Sequence, residues 1–345
     1  MADCKVRLGI SMPLGSAANA VEMTKFAHGL GYEEAWLAEV NGGDAYALAG
    51  ALAQGVPGMH LGTAVTPAQT RTPLVHAMAA MTLGQLTNGR FSLGLGMSSP
   101  NIVRDWGGQP FDRPLARMRD HITAIRGLLS GQKTDYEGKT LTVKKARLPG
   151  PFAGPSSIYL GALNEKMLNL CGELCDGVIL NMVPERGMKQ VTQAVRAGAE
   201  AAGRDAANLQ VVSRLHVVMS DDEAGARELV RAVFGPYAAT PGYNRFFSWV
   251  GFEEEAKVIA ESFKKGDRAT LAGAVTDELC DAIAVVGNAE KVRDRIRAYA
   301  EQGVDVCVIN PIGSPEQAAD MIKTLSGCLD DIKVVQHGVM RGSST

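Results

Sequence analysis

The chain has 345 residues, 46% hydrophobic and 21% charged, a balance that excludes an intrinsically disordered protein and allows one large buried core. Its 35 Lys and Arg nearly offset 37 Asp and Glu without forming a basic block, which argues against nucleic acid as the main partner. Apolar runs are short and the first residues, Met1-Ala-Asp-Cys-Lys-Val6, lack the regions of a signal peptide, so neither membrane insertion nor export is expected and the cytoplasm is the expected location.

Short Val/Ile/Leu-rich runs alternate with amphipathic segments along most of the chain. Strands are predicted at Val6–Ser11, Glu34–Ala38, His60–Val65, Phe91–Leu95, Ser157–Leu160, Gly177–Asn181, Leu209–Val218 and Val304–Ile309. Helices are predicted at Ala17–Leu30, Ala45–Gln54, Pro73–Leu86, Pro114–Ser130, Asn164–Gly172, Pro184–Ala202, Asp222–Val233 and Ala289–Gln302. Near-continuous apolar strands are those of a parallel sheet covered on both faces. Eight of them with intervening helices predict an α/β fold, a (β/α)8 TIM barrel. A doubly wound sheet would want a glycine fingerprint after the first strand, where Ser11-Met-Pro-Leu-Gly-Ser-Ala17 has one glycine. Two insertions interrupt the alternation. Thr134–Arg147 reads as a hairpin around Glu137-Gly138, after the fourth helix. Tyr237–Ala274, after the seventh strand, reads as irregular, with six aromatics between Tyr237 and Phe252 that need something to bury them. The expected organisation is one barrel domain over residues 1–330 and a polar extension at 331–345.

In a TIM barrel the chemistry sits at the C-terminal ends of the strands. Those ends are Ser11-Met12, Glu39-Val40, Thr63–Thr66, Gly94–Ser99, Gly161–Asn164, Asn181-Met182, Arg214–His216 and Asn310-Pro311. No Ser/His/Asp set, metalloprotease motif or close carboxylate pair is among them, so a bound cofactor is expected to carry the difficult chemistry. The six cysteines are scattered. Cys171 and Cys175 share a helical face, but no His or second Cys pair completes a metal site, so no metal is expected. Glycines at 94 and 96 would let a flat ring approach the backbone, beside Met97 and Ser98, although a plain turn explains them equally well. Gly161-Ala162-Leu163-Asn164 opens a helix capped by Asn164, where backbone N–H groups would favour an anion, with Asn181 nearby; a cap alone is the other reading. Glu39 either orients or exchanges protons with a bound group, or caps the second helix. Arg71 reads as an anchor of its loop.

The run Leu61-Gly-Thr-Ala-Val-Thr-Pro-Ala-Gln-Thr-Arg-Thr-Pro73, a helix, then Leu86-Thr-Asn-Gly-Arg-Phe-Ser-Leu-Gly-Leu-Gly-Met97 resembles the signature of the bacterial luciferase-like superfamily. Ala284-Val-Val-Gly-Asn-Ala-Glu290, Gly303-Val304 and Pro311-Ile-Gly-Ser-Pro315 resemble the C-terminal part of its methylenetetrahydromethanopterin reductases. The resemblance implies an oxidoreductase that transfers a hydride between a deazaflavin, coenzyme F420, and a small organic substrate, pterin-like or another conjugated or carbonyl compound. An FMN-dependent monooxygenase is the first alternative, and a cofactor-free binding barrel the second. It also implies a cis bond at Ala64–Val65 in a bulge, with Thr63, that props the cofactor ring, and a homodimer or larger homo-oligomer. This chain departs from the reductases in having Ser11 and Ser99 where they carry acids, and Glu39-Val40 where relatives carry Asp, often followed by His.

Overall fold

The computed structural model describes residues 6–11, 16–154 and 156–327. The barrel strands are β1 (Arg7–Ile10), β2 (Glu34–Leu37), β3 (His60–Thr63), β4 (Phe91–Gly96), β5 (Ser157–Gly161), β6 (Gly177–Asn181), β7 (Gln210–Met219) and β8 (Val306–Pro311). Each pairs in parallel with the next, and β8 pairs back onto β1, which closes the barrel predicted from the sequence. The ten-residue β7 runs past the ring, and its end, His216–Met219, pairs with a ninth parallel strand at Ala284–Gly287. The hairpin forms from Thr134–Glu137 and Thr142–Ala146.

The segment after β7 is not irregular. It folds as helices Pro241–Trp249, Glu253–Lys265 and Arg268–Ala274, which follow the helix Glu223–Ala238. Pro241 occupies the first turn of its helix, where a missing N–H is harmless. Glu253–Glu255 open the next helix and Lys264-Lys265 close it, both complementary to its dipole. Phe246, Phe247 and Phe252 are each no more than 1% exposed, so the insertion buries these three rings within this one chain, while Tyr237 stays 41% exposed. A further helix, Pro315–Ser326, starts with a capping box between Ser314 and Gln317. The expected extension at 331–345, Cys4 and Cys328 lie outside the described residues. Among the described residues no helix is long and apolar enough to cross a membrane.

The N-terminal half of the barrel interior is closed by its own side chains. Glu34, 2% exposed, takes an ion pair from Arg7 at 3.0 Å and a hydrogen bond from Trp36 Nε1 at 2.8 Å. Tyr159 packs edge-on against Trp36, and its hydroxyl donates to Gln210 Oε1 at 2.9 Å. Function is thereby confined to the opposite mouth, where the strands end.

Candidate active site

On one side of the mouth, β3 and β4 lose register by one residue. Gly62 pairs with Ser92 and the next pairing is Thr66 with Leu95, so three residues face two and the chain bulges at Thr63–Val65. The Ala64–Val65 bond is cis, as the resemblance implied. Thr63 replaces the interrupted ladder: its hydroxyl donates to Gly94 O at 2.7 Å and accepts from Gly94 N at 2.9 Å.

The glycines expected to make room for a ring make room for this bulge instead. A Cβ on Gly94 would lie 1.8 Å from Thr63 O, and one on Gly96 would lie 2.3 Å from Val65 Cγ2. Val65 also packs toward Gly161, so β3, β4 and β5 meet on this one side chain. Val65 in the bulge, Met97 just after β4 and Leu163 just after β5 stay partly exposed, so three adjacent strand ends present apolar side chains at the mouth. Just beyond β4 and β6, Ser98 (φ 58°) and Met182 (φ 55°) adopt left-handed backbone, uncommon for residues with a side chain.

Glu39 serves the loop. Arg71 grips it through two hydrogen bonds, of 2.8 and 2.9 Å, and one of its oxygens accepts from Ala45 N at 3.0 Å, capping the helix Ala45–Gly55. Arg71 also pairs with Asp44 and lies over the Tyr46 ring at 4.9 Å. Below it Tyr46 Oη donates to His76 Nδ1 at 2.5 Å, and His76 Nε2–H donates to Ala68 O at 3.0 Å. Burial lowers the pKa of His76 to about 4 and keeps it neutral. This assembly holds the loop that follows the bulge, and it engages both Glu39 oxygens, which favours the capping reading over proton exchange.

The opposite side of the mouth is polar. On β7 alternate residues point inward, so Arg214 and His216 continue the series begun by Gln210 and Val212. Arg214 Nη2 donates to Ser11 Oγ at 3.2 Å and to Asn310 Oδ1 at 3.4 Å. Asn310 Nδ2 donates to His216 Nδ1 at 2.7 Å, His216 Nε2–H donates to Asn181 Oδ1 at 2.9 Å, and Asn181 Nδ2 donates to Tyr243 Oη at 2.6 Å. Burial first, and then the Arg214 charge, push the pKa of His216 well below its usual value. The neutral ring with its proton on Nε2 satisfies both amides. Burial raises the pKa of Tyr243, so the phenol keeps its proton. Asn181, expected beside an anion, is a link in this network, and Arg214, Asn310 and Tyr243 were not singled out from sequence. The legible signal was the pair of polar residues at alternate positions in an otherwise apolar strand.

At the end of β5, Asn164 occupies the cap position of helix Glu165–Leu174, but its side chain makes no capping hydrogen bond, contrary to expectation. Ala162 is buried behind it, while Asn164 is exposed. Cys171, Cys175, Cys280 and Cys307 are buried thiols.

Comparison with known proteins follows the same lines. The family model described as luciferase-like monooxygenase matches residues 5–306. A Mycobacterium tuberculosis protein named among the coenzyme F420-dependent oxidoreductases is 28% identical over 92% of this chain and 99% of its own. The 5,10-methylenetetrahydromethanopterin reductase of Methanolobus tindarius is 29% identical over 89% of this chain and 95% of its own. The solved coenzyme F420-dependent tetrahydromethanopterin reductase of Methanopyrus kandleri has the same fold, with a TM-score of 0.79 over 93% of this chain and 97% of that one, at 24% identity.

Proposed function

The chain belongs to the luciferase-like monooxygenase family, and from that premise we propose an oxidoreductase that moves a hydride between coenzyme F420 and a small organic substrate at the barrel mouth. The observation that carries the reading is the division of the mouth into an apolar wall on the Thr63–Val65 bulge and a polar network centred on Arg214 and His216. A ring system fits the first and a polar substrate the second. The curated relatives named above support F420 as the cofactor, and a conjugated or carbonyl compound, such as a pterin, as the substrate class.

Thr63, Ala64, Val65, Met97 and Ser98 are the residues we assign to the ring, with Gly94 and Gly96 making room for the bulge that would carry it. Gly161, Ala162, Leu163 and Asn164 are assigned to an anionic tail, because the uncapped start of helix Glu165–Leu174 leaves backbone N–H groups free of side-chain partners. Bound deazaflavin would supply the hydride carrier. The protein's part is to hold the ring flat on the bulge, exclude water with the buried aromatic insertion, and present polar groups to the substrate. A homodimer or larger assembly is supported by Leu74, Val75 and Met78, 42–46% exposed on one face of helix Pro73–Leu86.

Separate absorbance titrations of the purified protein with F420 and with FMN test the proposal. Saturable binding of F420, tighter than that of FMN, is expected. Tight FMN binding without F420 binding would replace the reading by an FMN-dependent monooxygenase.

A further inference from the structure

Among the described residues Arg214 is a cation without a counter-ion. Its side chain rises from the middle of β7 into the mouth, and among the described residues it makes no ion pair. Its two hydrogen bonds, to Ser11 Oγ and Asn310 Oδ1, are long, and Nε has no partner at all. The carboxylate that marks the mouth in sequence, Glu39, is consumed by Arg71 and Ala45 N. The undescribed residues after β1, Met12 to Gly15, contain no acid.

A guanidinium held among protein groups with no anion is costly to the folded state, and residues kept at such a cost commonly serve a ligand. The surroundings narrow the ligand. Ser11 and Asn310 offer Arg214 only neutral oxygens, and His216 is held neutral, so nothing there supplies a negative charge. Close by, the Tyr243 hydroxyl spends a lone pair on Asn181 Nδ2 and retains its own proton for another acceptor. Arg214, Asn310 and Tyr243 are each half-buried at this end of the barrel, whereas Ser11 and His216 are buried, and the Arg214 Nε is fully enclosed. Planar donors on Arg214 and a single hydroxyl donor beside them match a carboxylate, which takes a paired contact from guanidinium and a third bond from a hydroxyl.

We infer that Arg214, assisted by the Tyr243 hydroxyl, is the binding site for a carboxylate carried by the substrate. The inference rests on the reading of this mouth as the reaction site and adds the charge of the substrate to it. The residues assigned above to the cofactor lie on the other wall, so we assign Arg214 to the substrate and not to the cofactor.

Thermal melts of the cofactor-free protein in increasing sodium acetate, against sodium chloride at equal ionic strength, provide the test, with Arg214→Met and Tyr243→Phe alongside. Acetate is expected to raise the melting temperature of the wild-type protein above the chloride control. Arg214→Met, which removes the unpaired charge and keeps the side-chain volume, should melt at or above the wild-type temperature and lose the acetate response. Tyr243→Phe should weaken acetate binding about 3- to 10-fold, the worth of one hydrogen bond. A methionine variant that fails to fold or melts several degrees lower would make Arg214 a structural residue and overturn the inference. An acetate response that is absent from the wild type, or that survives in Arg214→Met, would overturn it too. F420 titration of the same proteins separates this inference from the functional proposal. Equal F420 binding by wild type and Arg214→Met is expected, and loss of F420 binding only in the variant would assign Arg214 to the cofactor and refute the substrate role. Failure of the wild type to bind F420 would defeat the functional proposal while leaving the acetate result to stand.

Discussion

Gly94→Ala should be among the most damaging single-methyl changes in this protein. The added Cβ would lie 1.8 Å from Thr63 O, 2.9 Å from Thr63 C and 2.5 Å from Ile179 Cδ1. Ile179 can turn aside, but the Thr63 carbonyl belongs to the bulge and cannot move without carrying the backbone with it. That shift would also break the two hydrogen bonds between Thr63 Oγ1 and the Gly94 peptide. Overpacking a core costs about 1–3 kcal/mol and each buried hydrogen bond about 1 kcal/mol, so a loss of about 3–5 kcal/mol is expected. Urea unfolding followed by circular dichroism measures it. Gly50→Ala is the matched control, since it lies inside helix Ala45–Gly55 with nothing within 4 Å of the new Cβ. That change should stabilise by about 0.5–1 kcal/mol. If Gly94→Ala unfolded at the wild-type midpoint, the claim that Gly94 exists to admit the bulge would be wrong.

Stability should also fall in mild acid, because His76 has a folded pKa of about 4 against an ordinary value of 6.5. Above pH 6.5 the ring is neutral in both states and contributes no pH dependence; between 6.5 and 4 only the unfolded chain gains the proton, so about 3 kcal/mol is lost over that window. The depressed pKa of His216 acts in the same direction, and a His76→Gln variant should show a flatter acid limb in denaturant midpoints measured against pH. Glu39→Gln should cost about 1–3 kcal/mol, less than a fully orphaned buried ion, because Arg71 keeps Asp44; a variant of undiminished stability would show that the carboxylate does not hold the loop. Phe247→Ala should cost about 3–5 kcal/mol by opening a cavity in the insertion, with no change in oligomeric mass by light scattering. Dissociation of an oligomer with little loss of stability would instead place the ring at a subunit contact.

The strands of the barrel were legible because their information is local. Continuous apolar runs such as Val178–Leu180 and Val306–Ile309, separated by helical periodicity, can be satisfied only by strands covered on both faces. The bulge was legible through resemblance, and the capping box at Ser314 was readable in principle from Ser-Pro-Glu-Gln. The helical nature of Pro241–Ala274 was missed because Pro-Gly and clustered aromatics look like a loop, whereas burial of Phe246 and Phe247 against each other and the neighbouring helices selects helix. What the glycines make room for was not legible for a related reason. A sequence shows that Gly94 lacks a Cβ but not which atom occupies the vacant space, and here it is Thr63 O, 31 residues away in the chain. Likewise, Arg214, Asn310 and Asn181 sit on three different strands, and Tyr243 on a helix of the insertion. Closure of the sheet brings the three strand ends together and packing of the insertion adds Tyr243, so their shared hydrogen-bond network is a property of tertiary structure alone.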